Sequence, residues 1–164
     1  MNDPIRIRKA EKKDEEAIWS IIQAVIQTGD TYVFDPATPQ SEMMAYWCGA
    51  DKHTFVASIQ DRIVGTFIIK DNFPDLGAHV ANASFMTKPT EFGKGIGRTM
   101  GAHALQQAKQ LGYYAMQFNI VVKSNQGAIR LWQKLGFQTI GEIPDAFDHQ
   151  QNGYTNALIM WRKL

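Results

Sequence analysis

Residues Phe92–Thr99 read FGKGIGRT, a glycine-spaced turn between two runs of different periodicity. Before it, Ala78–Thr87 is strand-like, and Lys88-Pro89 closes that run because a residue preceding proline is pushed out of the helical region. After it, Ile96, Met100, Ala104, Ala108 and Leu111 recur at intervals of four or three, which predicts a helix from about Ile96 to Leu111, ended by Gly112. Tyr114–Val122 is again strand-like. Strand, glycine turn, helix and strand in that order make a parallel crossover.

The flanks read as antiparallel pairs and covering helices. Ile5 and Ile7 alternate with Arg6 and Arg8 as in a half-buried strand. Asp14 caps a helix whose Ile18, Ile21, Ile22 and Val25 share one face, and Gly29-Asp30 ends it. Thr38-Pro39 reads as an N-cap with proline at the first helical position, opening a short helix to about Cys48. Thr54–Ile59 and Ile63–Lys70 form a hairpin across Gln60-Asp61-Arg62. Asn125–Leu135 is a helix stopped by Gly136, and Phe137–Ile143 and Tyr154–Lys163 are strands separated by a polar loop. The order β-α-α-β-β-β-α-β-α-β-β predicts an α/β (α+β) chain with a mixed sheet and helices on both faces, forming one domain over residues 1–164.

Composition narrows the function classes. A net charge of +1 gives bulk electrostatics no grip on nucleic acid or a membrane surface. The basic residues Arg6, Arg8, Lys9, Lys12 and Lys13 are balanced by Glu11, Asp14, Glu15 and Glu16 and read as a solvated surface. The single cysteine, Cys48, rules out an intramolecular disulfide and a cysteine metal cluster. His53, His79, His103 and His149 have no metal-ligand spacing, so no metal is expected. With no apolar signal core at the N-terminus and no membrane-length apolar run, a soluble cytoplasmic protein is expected.

Gly93, Gly95 and Gly97 sit where a strand becomes a helix, and the first amides of that helix have no intrahelical partner. With the helix dipole they form a phosphate site, and Lys94 and Arg98 add positive charge. A P-loop would need glycine at Phe92 and lysine at Arg98. A dinucleotide fingerprint starting at Gly95 would put Met100 at its third glycine, and Tyr114–Val122 has no acid for a ribose. The pyrophosphate loop of an acyl-CoA acyltransferase fits the spacing.

On these residues the chain resembles the GNAT superfamily of acetyltransferases over nearly its full length. The family loop, [Gln/Arg]-x-x-G-x-[Gly/Ala], aligns with Phe92-Gly93-Lys94-Gly95-Ile96-Gly97, with Phe92 departing at the first position. The family segment N-x-x-A-x-x-[LF]-Y-x-[KR]-x-G-F aligns with Asn125, Ala128, Leu131, Lys134, Gly136 and Phe137. Where the family has a tyrosine able to protonate the leaving thiolate, this chain has Trp132, whose indole N–H donates a hydrogen bond but is no acid near neutral pH. The resemblance implies the GNAT fold, a mixed, mostly antiparallel sheet of six to seven strands, with acetyl-CoA as co-substrate and a homodimer as a common assembly. It also implies cofactor contacts at Met86, Thr87, Phe92, Gly93, Lys94, Gly95, Ile96, Gly97, Arg98, Asn125, Ala128 and Trp132. Asn125 also reads as a plain helix cap.

Phe118–Val121 and Ser124–Trp132 are similar to a narrower set, the fungal L-azetidine-2-carboxylate N-acetyltransferases, which also carry tryptophan in the tyrosine position. That resemblance implies that Asn82 meets the substrate while Asn119 and Asn125 serve the cofactor side. GNAT resemblance further implies that a backbone N–H near Met86 and Thr87, freed by a strand bulge, polarises the thioester carbonyl. No acid lies in His79–Thr87, so the base is left among His79, Asp71, Asp75, Asp145, Asp148, His149 and a water chain. The expected reaction is acetyl transfer to a small amine or amino acid. Acetylation of a protein N-terminus or lysine, and a non-catalytic acyl-CoA-binding sensor, are the competing readings.

Overall fold

Alternation of Ile5 and Ile7 with charged neighbours starts the fold on a sheet edge, as β1 (Arg6–Lys9). The computed structural model describes residues 3–164, so the first two residues of the expected domain lie outside the described residues. Then come α1 (Glu15–Ile26), α2 (Gln40–Trp47), β2 (His53–Ile59), β3 (Arg62–Asp71), β4 (Val80–Thr87), α3 (Ile96–Gln110), β5 (Ala115–Val122), α4 (Gln126–Lys134), β6 (Gln138–His149) and β7 (Gly153–Lys163). They form one seven-stranded sheet in the order β1-β2-β3-β4-β5-β7-β6. Every neighbouring pair is antiparallel except β4 and β5, which α3 joins as the parallel crossover.

Each face of the sheet buries its own helices. The apolar stripe Ile18, Ile21, Ile22 and Val25 of α1 packs with Met43 and Trp47 of α2 against Val56, Ile68 and Met86. On the opposite face α3 and α4 lay Ile96, Met100, Ala104, Ile129 and Trp132 over Phe55, Phe67, Ile69, Phe118 and Met160. Alternate residues of β3 and β4 therefore feed different cores. Trp47, wholly buried, keeps its indole N–H satisfied on Thr66 Oγ1 at 3.0 Å.

The central parallel pair is short. Only Val80↔Ala115 and Ala81↔Met116 are in register, after which β4 and β5 part. β5 bends where its register with β7 slips: from Phe118 to Val121 it advances three residues while β7 advances from Met160 to Leu158. The extra residue is a bulge at Asn119-Ile120, and a bulge kinks the strand that carries it.

The structure corrects four local expectations. Asp14 does not cap α1 through its side chain. Its carboxylate instead receives both guanidinium nitrogens of Arg8, at 2.6 and 2.9 Å, and the Glu11 N–H at 2.8 Å. It is buried rather than solvated, because a 3-10 turn at Lys12–Asp14 swings it under β1. The second helix starts one residue late, with Pro39 in the cap position, and Thr38 bonds back to Asp35 O at 2.7 Å. Finally, β6 continues to His149 where Ile143 was the expected end. A second register slip between Ile143 and Phe147 absorbs Pro144, which has no N–H to give the ladder.

Arg8 holds the Asp14 carboxyl below its usual range, first through their hydrogen bonds. A depressed folded-state pKa means that the stabilisation is complete above the unfolded pKa, near 4, and is lost as pH falls through the folded value. Asp14→Asn should therefore be about 1 kcal/mol less stable near pH 7, the partly exposed Arg8 limiting the value. It should also lose stability less steeply than the wild type between about pH 5 and 3. Urea melts across that range check both.

Candidate active site

The site begins with the backbone of β4. Lys88 N–H donates to Val64 O, and Asn72 N–H to Val80 O, so the even-numbered residues of β4 face β3 along its whole length. The register has no slip between these bonds. The N–H of Met86 is thus committed to the ladder opposite Thr66, and Met86 itself is buried against α1 and α2. This corrects the reading that made Met86 a free donor, and the expected bulge lies on β5 rather than β4. The N–H groups of Ala83, Phe85 and Thr87 point to the other edge, opposite β5. Because β5 has parted by then, those donors lose a strand partner.

One of them is filled by a residue that no sequence motif marked. The Tyr32 hydroxyl, on the loop between α1 and α2, accepts from Phe85 N–H at 2.8 Å and donates to Phe85 O at 2.6 Å. A single side chain satisfies both backbone groups of Phe85. Burial raises the Tyr32 pKa well above that of free tyrosine, so the group is a neutral phenol. Only its spacing from Phe34 in an aromatic-rich loop hinted at a buried role.

Side-chain amides line the mouth of the gap. Asn82 Nδ2 donates to Gln117 O at 3.0 Å, bridging β4 to β5 just past their last ladder pair. Gln117 Nε2 donates to Asn119 Oδ1 at 2.9 Å, and Asn119 Nδ2 to Asn72 Oδ1 at 2.8 Å. Strand alternation puts Gln117 and Asn119 opposite the face of Met116 and Phe118, which pack with α3 and α4. Asn119 thus stands on the α1–α2 face with Asn82, and it shares a cavity lining with Asn125, Ala128 and Trp132. Asn125 is the N-cap of α4, its Oδ1 accepting from Ala128 N–H at 3.2 Å.

Gly93 and Gly95 have φ of +83° and +78°, a region closed to most side chains, and open space lies beside both. Gly95 caps α3, so the first amides of that helix face outward. Gly97 has ordinary φ and a different role: a Cβ there would come within 3.3 Å of Leu131, and one at Gly101 within 3.0 Å of the Trp132 ring. These glycines let α3 and α4 lie close together, which brings their N-termini to the same end of the gap. Ile96 is buried in the core, leaving only its backbone available. Phe92 and Arg98 are exposed, while Lys94 is paired with the Glu91 carboxylate at 2.5 Å.

A cavity of about 350 Å³ lies in the gap, lined by Tyr32, Phe34, Tyr46, Lys70, Asn82, Ser84, Asn119, Asn125, Ala128 and Trp132, among others. It gathers the expected Asn82, Asn119, Asn125, Ala128 and Trp132. Met86, Thr87 and the glycine turn lie outside its lining. Trp132 is wedged between Phe85 and Phe118, with ring centroids 4.9 and 4.7 Å apart. Among the described residues, no acid or histidine lines the cavity. Asp71 instead accepts from the Tyr113 hydroxyl at 2.6 Å, and Asp75, on a 3-10 turn, and His79 precede β4 at its paired end. Asp148 and His149 line a neighbouring cavity across the Tyr32–Phe34 wall, and Asp145 lines neither. Among the described residues, no three His, Cys, Asp or Glu side chains gather as a metal would need, and no helix is long and apolar enough to cross a membrane.

Comparison with known proteins agrees with this geometry. The family model described as Acetyltransferase (GNAT) family matches residues 19–137. A solved GCN5-related N-acetyltransferase from Kribbella flavida is 36% identical, with a TM-score of 0.93 and 98% of each chain covered. The N-acetyltransferase aca1 of Schizosaccharomyces pombe is 37% identical over 98 residues, 59% of this chain, and the chain spans 47% of that relative's length. The fold also matches yncA from Salmonella typhimurium, solved with its cofactor acetyl-CoA, at a TM-score of 0.88 and 21% identity, covering 98% of this chain and 94% of that one.

Replacing Tyr32 by phenylalanine removes the partner of both the N–H and the C=O of Phe85 in a half-buried setting. The expected cost is about 1–3 kcal/mol of unfolding free energy, read from the urea midpoint at unchanged slope.

Proposed function

Since the chain belongs to the GNAT acetyltransferase family, we propose that it transfers the acetyl group of acetyl-CoA to the amine of a small molecule or amino acid, by direct attack in a ternary complex. A proline analogue such as L-azetidine-2-carboxylate is the specific acceptor favoured by the tryptophan and the asparagines of the site. The observation that carries the reading is the gap between β4 and β5, with the N-termini of α3 and α4 at one end and a cavity inside. The amides around residues 93–98 take the diphosphate, and Arg98 adds charge. The pantetheine arm lies along the open edge of β4, past Ala128 and Trp132. The thioester carbonyl accepts from an N–H on that edge, Thr87 or Ala83, a contribution of about 3 kcal/mol.

The remaining steps use little from the protein. With no acid or histidine in the lining, the ammonium loses its proton to water before attack. The thiolate leaves without a tyrosine proton donor, which a thiol with a pKa of roughly 8.5 allows. Support for small acceptors comes from the cavity size. A cytoplasmic location and a homodimer are part of the same proposal, on the single Cys48 and the family resemblance.

The same two absences, of an acid in the lining and of a tyrosine at Trp132, favour a second reading, an acyl-CoA-binding sensor. Thiol release separates the two: a sensor binds acetyl-CoA tightly and acetylates no amine in a broad panel. For the transferase, kcat/KM should rise about tenfold per pH unit and level off only near the acceptor's own amine pKa, because no lining acid or histidine titrates below it. Gly95→Val forces a β-branched residue to φ near +78° and should weaken acetyl-CoA binding at least tenfold by calorimetry. Asn82→Ala should lower turnover of L-azetidine-2-carboxylate by at least tenfold. Absence of that turnover in the wild type, or indifference to the change, removes the narrower acceptor.

A further inference from the structure

Among the described residues of the cavity lining, Lys70 is the only one whose side chain carries a formal charge. It stands directly across from Asn82 in the β3–β4 register, so the two share the α1–α2 face. Among the described residues Lys70 has no ion-pair partner within 4.0 Å. Its Nζ lies 5.7 Å from the centroid of the Tyr46 ring, which also lines the cavity. Asp51, whose carboxyl is lowered first by its hydrogen bonds with Lys52 and only slightly by Lys70, is held by Lys52 at 2.8 and 2.9 Å. Asp71, the next residue of β3, is turned to Tyr113.

Such a cavity is hostile to a simple amine. An ammonium entering it meets a cation and no acid, and like charges in a half-buried site repel. A zwitterion brings its own compensation. Asn82 spends Nδ2 on Gln117 O, and its Oδ1 accepts from no group among the described residues, so it retains acceptor capacity for an amine. Ser84, two residues along the same face of β4, offers a hydroxyl.

We propose that Lys70 is a carboxylate subsite that restricts the acceptor to α-amino or α-imino acids with a free carboxylate. This rests on the cavity being the acceptor pocket of the acetyl transfer. Amines without an anion, polyamines and lysine-rich peptides are then disfavoured.

The test compares L-proline and L-azetidine-2-carboxylate with their methyl esters, in wild type, Lys70→Gln and Lys70→Arg. Turnover is read by thiol release, and binding to the CoA-saturated protein by calorimetry. A charge-assisted contact predicts a ten- to hundredfold preference of the wild type for the free acids, carried by KM. Lys70→Gln should remove that preference by raising KM for the free acids while the esters, no longer repelled, are used at least as well as by the wild type, and Lys70→Arg should keep most of it. Equal use of acid and ester by the wild type, or an equal loss on both in Lys70→Gln, overturns the subsite. If no amine is acetylated, the transferase reading fails on its own, and calorimetry still decides the subsite: acid-selective binding lost in Lys70→Gln upholds it, and unselective or absent binding overturns it.

Discussion

The whole site depends on two parallel strands that pair for two residues and then separate. A parallel ladder at the centre of a sheet normally consumes every backbone donor and acceptor along it. Here β5 carries a bulge against β7, and the kink carries it away from β4. The edge of β4 is left with N–H groups at Ala83 and Thr87 in the middle of a protein, where unsatisfied donors are costly. The fold meets that cost with Tyr32 at Phe85 and with Asn82 at the hinge of the gap. The donors that remain are the natural partners of an extended, amide-bearing arm.

Around that opening, the two layers of helices divide the labour. α3 and α4 approach closely because Gly97 and Gly101 leave room for Leu131, Trp132 and Leu135. Their N-termini then stand together at one end of the gap, that of α3 with its first amides free of any side-chain cap, where anions are favoured. The opposite face, under α2 and the loop that follows α1, presents the amides Asn72, Asn82, Gln117 and Asn119 with Lys70. In the proposed transfer, cofactor and acceptor approach the gap from opposite sides of one sheet.

The absence of an acid from the lining ties these points together. In the proposed transfer, a site with no carboxylate in its lining relies on binding geometry and an electrophilic carbonyl rather than on a protein base. Under the proposed subsite, a lone lysine among amides makes the pocket a detector of charge pattern. Trp132 fits that economy, since its ring fills the aromatic wall with Phe85, Phe118 and Phe137, and its N–H is not asked to titrate.

Hydrophobic periodicity, together with caps, turn residues and glycine stops, was enough to read the eleven elements and their order, and the glycine spacing located the parallel crossover and the turn at Gly93 and Gly95. These signals are local: side-chain period follows backbone type, and positive φ calls for glycine. The Asn125 cap was equally legible, because a cap acts within three residues. Three features needed the tertiary structure: the side of the sheet on which Asn119 stands, the strand that bulges, and the pairing of Tyr32 with Phe85 across 53 residues. Which edge of β4 goes unpaired depends on a slip between β5 and β7, more than 30 residues further along the chain, and no pattern within β4 records it. Long-range register is a property of the assembled sheet, and that register decides which of Met86 and Thr87 has a donor to give.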